Sequence, residues 1–146
     1  MKVWSWLAVA FNMALVVPST SAAAQAVAPS SLVGKWEASP WADGTLIKLH
    51  LNADSTWAQA WYGGGLAKAT GKQGPYNQAG GHWAVVGDTL RLVGEILAGP
   101  NHGEVRFTSN LRIKDGGKVL SLQMADTLPG GEIVRYPDRN FVRSVP

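Results

Sequence analysis

The sequence predicts an all-β fold, an antiparallel up-and-down barrel of about eight short strands. Two observations carry this. From Val27 onward the chain divides into short runs rich in β-branched, aromatic and Leu residues, separated at close intervals by Gly, Pro, Asn and Asp. Several of these runs alternate between apolar and polar residues, and no helical period of useful length occurs in the same region.

The N-terminus precedes this region with a different pattern. Met1 and Lys2 open it, a largely apolar run from Val3 to Val17 follows, and small residues fill Ser19 to Ala26. That order is the three-part order of a secretory signal peptide. Ala24-Gln25-Ala26 satisfies the small-x-small cleavage rule, so residues 1–26 are expected to be removed, with Ala24 as a second possible final residue. The apolar run is shorter than the roughly 20 residues that span a bilayer, and no later segment is long enough, so no membrane span is expected. The predicted location is periplasmic or secreted, and residues 27–146 are expected to form one domain.

Candidate strands cover Lys35 to Ser39, Thr45 to Asn52, Thr56 to Tyr62, His82 to Val86, Thr89 to Leu97, Glu104 to Lys114, Val119 to Ala125, Glu132 to Tyr136 and Asn140 to Arg143. In the sixth, Val105, Phe107, Ser109, Leu111 and Ile113 share one face, and the charged residues share the other. Thr45, Ile47, Leu49 and Leu51 behave likewise, as do Leu120, Leu122 and Met124. Period two with one apolar side describes a half-buried antiparallel strand. Asn52 to Ser55, Gly87-Asp88 and Asp115 to Gly117 supply the turn chemistry of tight hairpins. Closure into a barrel removes exposed edges; a two-sheet sandwich is the alternative.

Composition narrows the function. The chain has no cysteine, hence no disulfide and no thiolate metal site. It carries 13 Lys and Arg against 10 Asp and Glu without a clustered basic stripe, which argues against nucleic acid. The charged alternate faces argue against an outer-membrane barrel, whose outward band is apolar.

Leu32-Val33-Gly34-Lys35-Trp36 opens the first strand and resembles the Gly-x-Trp signature of lipocalin-like barrels, in particular the compact bacterial ones. The resemblance implies that Trp36 plugs the closed end and that a basic residue of the last strand, Arg143 or else Arg139, packs across its ring. It also implies a possible cavity for an apolar ligand. Gly81-His82-Trp83 repeats the pattern, either as a faint duplication or, as we favour, because Gly bends a tight barrel strand and Trp fills a corner.

Trp57, Gln59 and Trp61 share one strand face, opposite the small residues Thr56, Ala58 and Ala60. If the indoles face inward they form an amphipathic wall, either lining a pocket or filling the core. Gly63 to Gly81 reads as a long connection carrying Tyr76, a candidate gate over the barrel mouth; Ala98 to Gly103 is a second loop, with His102 near the same rim. The expected ligand contacts are therefore Trp57, Gln59, Trp61, Tyr76 and Trp83.

No catalytic or metal set is expected, and no cofactor. His50, His82 and His102 are isolated, no Gly-x-Ser-x-Gly elbow occurs, and Gly71-Lys72 lacks the remaining residues of a phosphate loop. Two functions remain: an exported binder of a small apolar or amphipathic molecule, or a protein-binding module with a filled barrel. Exported bacterial metalloprotease inhibitors resemble the second, and there residues 27–31 would be the segment that reaches the partner.

Overall fold

The computed structural model describes residues 26–146 apart from 72, 73, 100–102, 104, 105, 124, 128, 129, 136 and 146. The predicted signal segment, its last residue excepted, lies outside the described residues, as do His102 and Lys72. Among the described residues no helix is long and apolar enough to cross a membrane.

Among the described residues ten strands form: β1 (Gly34–Ala38), β2 (Leu46–Leu51), β3 (Thr56–Tyr62), β4 (Asn77–Val86), β5 (Thr89–Ala98), β6 (Arg106–Lys114), β7 (Val119–Leu122), β8 (Ala125–Thr127), β9 (Ile133–Arg135) and β10 (Arg139–Arg143). Eight of them close an antiparallel barrel in the order β1-β10-β7-β6-β5-β4-β3-β2. The up-and-down order follows from the alternation, because each hairpin returns the apolar face to the same interior.

Three elements depart from the sequence reading. The run around Glu132 to Tyr136 yields β9, which pairs with β8 in a separate two-stranded sheet instead of joining the barrel. Pro137 cuts that run short, and proline has no N–H to give a ladder; β10 already closes the wall against β1. The connection after β3 is also shorter than expected, since β4 begins at Asn77 and residues 64–70 form one short helix, α1 (Gly64–Thr70), ended by left-handed Gly71. Seven residues opening on two glycines are too few to show an amphipathic period.

The interior includes residues of the expected faces: Ile47, Leu49 and Leu51 of β2, Leu111 and Ile113 of β6 and Leu120 of β7 are buried, and Leu90, Leu92 and Ile96 of β5 and Phe141 of β10 join them. One end is shut. A 3-10 turn at Pro29–Leu32 lays Leu32 beneath Trp36, whose indole N–H donates to the Leu32 carbonyl at 2.9 Å. The Arg143 guanidinium lies 4.4 Å from the Trp36 ring centroid and donates to the carbonyls of Val33, at 2.6 Å, and Ser31. The basic residue expected on the last strand is thus Arg143.

Connections divide by end. Those at the shut end are tight, between β2 and β3, β4 and β5, and β6 and β7; those at the other end are long and include α1 and the β8–β9 hairpin. The site therefore has to be sought where the long connections gather.

Candidate functional site

Register settles which way β3 faces. Trp57 pairs with Leu51, Gln59 with Leu49 and Trp61 with Ile47, and those three β2 residues are buried. The indole-bearing face is the inner one, and the small residues Ala58 and Ala60 lie on the outer wall.

These inner side chains descend the barrel. Trp61 stands nearest the end where the long connections gather and Trp57 roughly 14 Å further along the strand, at about 3.4 Å per residue. Trp57 is 2 % exposed, and its indole reaches over Gly81 to donate to the Val93 carbonyl of β5 at 3.2 Å. A side chain at position 81 or 94 would block that path: a Cβ on Gly94 would come within 2.7 Å of Trp57 Cζ2. Trp83, 7 % exposed, sits under the β2–β3 turn and donates to the Asn52 carbonyl at 3.1 Å. Trp57 and Trp83 thus pack the shut half with their N–H groups engaged, and Gly81-His82-Trp83 behaves as a close-packing device.

The half beneath the long connections is different. Trp61 is half-buried against the core, Gln59 is half-buried between Leu49 and Ala79, and Tyr76 is half-buried at the rim with its amide donating to the Trp61 carbonyl at 3.1 Å. Two residues that the sequence did not single out as ligand contacts join them. The β1–β2 connection turns back on itself at Trp41, whose amide donates to Thr45 O and whose carbonyl accepts from Gly44, both at 2.8 Å. This brings Trp41 against the core. Arg139, two residues before buried Phe141 and paired with Leu122, faces inward on β10 and places its guanidinium 4.8 Å from the Trp41 ring centroid.

The polar atoms of this pair are incompletely satisfied. Among the described residues Trp41 Nε1 and Arg139 Nε are buried and have no hydrogen-bond partner, and Asn77 Oδ1 at the start of β4 is in the same condition. Among the described residues no carboxylate lies within ion-pair distance of Arg139. A buried donor without an acceptor costs about 1–3 kcal/mol, and such groups are rare enough in folded proteins to need a reason. Two N–H donors beside an indole wall suit a molecule with an apolar body and an acceptor oxygen.

The two ends of β10 mirror each other in composition. Arg143 lies over Trp36 with its donors satisfied by backbone, whereas Arg139 lies over Trp41 with Nε unsatisfied. The first pair seals one end and the second leaves donors at the other. A Trp in a turn and an Arg at a strand start show no periodicity, so only spatial placement reveals them.

The stretch 27–31 does not stand free of the barrel. Val27 is partly buried and packed against the core, and Ser31 donates through both amide and hydroxyl to Ala28 O, at 2.9 and 2.7 Å. Among the described residues no group of three or more His, Cys, Asp or Glu converges as a metal set. Comparison with protein-family models, with curated proteins and with solved structures gives no match to this chain.

Proposed function

We propose that the protein is an exported, lipocalin-like binder of a small amphipathic molecule, working in the periplasm or outside the cell. The ligand sits at the open end of the barrel, its apolar body against Trp61, Trp41 and Tyr76 and its acceptor oxygen toward Arg139. Gln59 lies beneath as a polar contact, and Trp57 and Trp83 form the packed floor. The observation that carries this reading is the stacked Trp41 and Arg139 pair with two buried N–H groups lacking an acceptor. The anchored Val27 supports a ligand binder over an inhibitor acting through its N-terminal segment.

The test is a titration with Nile red, which is neutral, apolar and carries acceptors but no donor. One-site saturable binding with tryptophan quenching is expected, and Trp61→Ala and Arg139→Met should each weaken it about tenfold, the equivalent of 1.4 kcal/mol. A folded protein that shows no saturable binding would overturn the reading and favour a protein partner.

A further inference from the structure

Outward positions on a solvated strand are ordinarily long and polar, yet the outer wall at β3 and β4 has small residues at Ala58, Ala60 and Gly80, with the Gln78 amide beside Ala60. This makes a dent in a convex surface, a groove of about 820 Å³. Its two sides differ. Along β1 and β2 stand Lys35, Lys48 and His50; along the far side Leu97, 50 % exposed, leans over Gly80, where an added Cβ would meet its Cδ1 at 2.9 Å. Tyr62 closes the groove toward the open end, with the Lys48 ammonium 5.3 Å from its ring centroid. Among the described residues no carboxylate lines the groove. Glu37 is opposite Lys48 in register, but the two form no ion pair within 4.0 Å.

We infer that this groove is a second site, distinct from the barrel mouth, for a single-chain anionic amphiphile. The cationic side fits a carboxylate head, and the alanine floor with Leu97 fits an alkyl chain. From the level of His50 and Ala58 to that of Tyr62 the strand rises roughly 14 Å, at about 3.4 Å per residue, which matches a chain of ten to twelve carbons in order of size. The volume falls in the range of small-molecule sites, about 300–1,000 Å³. An extended acidic peptide fits less well: β1 to β4 are paired on both sides within the closed wall, so no free edge exists to take up a peptide backbone.

The experiment follows backbone amide shifts in isotope-labelled protein during titration with laurate below its micellar concentration, beside dodecyl maltoside as a neutral chain of equal length. Laurate should shift Ala58, Ala60 and Gly80 saturably, and dodecyl maltoside should act at least tenfold more weakly. The Lys35→Glu/Lys48→Glu variant, both positions being solvent-facing, should weaken laurate at least tenfold with an unchanged melting temperature, and Ala60→Phe should block it by filling the floor. The shifts should persist in Arg139→Met, which removes the open-end site. Shifts confined to residues 41, 61 and 76, equal affinity for the neutral chain, undiminished binding in folded Lys35→Glu/Lys48→Glu or Ala60→Phe, or loss of the groove shifts in folded Arg139→Met would each overturn the assignment.

Discussion

Gly34 shows how one residue's lack of a side chain positions another's charge. Its φ of +136° is unfavourable for any residue with a Cβ, and a Cβ there would collide with Arg143 Nη1. The Gly of the Gly-x-Trp motif therefore makes room for the guanidinium that covers Trp36. Gly34→Ala should cost about 1–3 kcal/mol in urea unfolding, and Arg143→Met about 1–2 kcal/mol through lost stacking and charged hydrogen bonds. The double variant should lose less than the sum, since the clash disappears with the guanidinium. Strict additivity would overturn this account. This end of the barrel was legible in the sequence because Gly34 and Trp36 form a local motif. Trp41 and Arg139 were not, because neither belongs to a periodic run and their contact exists only after β1 and β10 pair.

At the scale of elements, the β1–β2 connection is held by Asp43. Its carboxylate accepts from the Thr45 amide at 2.9 Å, from the Thr45 hydroxyl at 3.0 Å and from the Gly65 amide of α1 at 3.4 Å. Those hydrogen bonds, the Thr45 amide foremost, pull the Asp43 carboxyl below its ordinary value of 3.8. A lowered folded-state value means the tie is fully present above pH 3.8 and is lost as pH falls through the still lower folded value. The Thr45 amide shift should therefore titrate with a midpoint below 3.8; a midpoint above 3.8 would contradict the assignment. Strand identity was largely readable, but strand orientation at β3 was not. Trp57, Gln59 and Trp61 oppose small residues, and either face alone could be internal. The register against Leu49 and Leu51 decides it, and register is a property of pairs.

For the whole molecule, closure by eight strands leaves β8 and β9 as an addition to the wall. Replacing residues 125–135 with a short Gly/Ser connection should leave a cooperative melt and the barrel's far-UV circular dichroism, because loop length alters closure entropy only slowly; a loss of cooperative unfolding would show the hairpin to be part of the barrel's stability. The up-and-down barrel itself was legible from alternation and turn spacing. The hairpin was not, because a short β-branched run carries no mark of which sheet it will join.

The pairing of Trp36 with Arg143 also orders events in time. Arg143 bonds a carbonyl 110 residues earlier in the chain, and the first strand's flank is completed by the last strand to be synthesised. Contacts so distant in sequence form slowly. The cylinder therefore cannot close until β10 is available to pair with both β1 and β7. An interior walled by eight strands is complete only once that last seam is made.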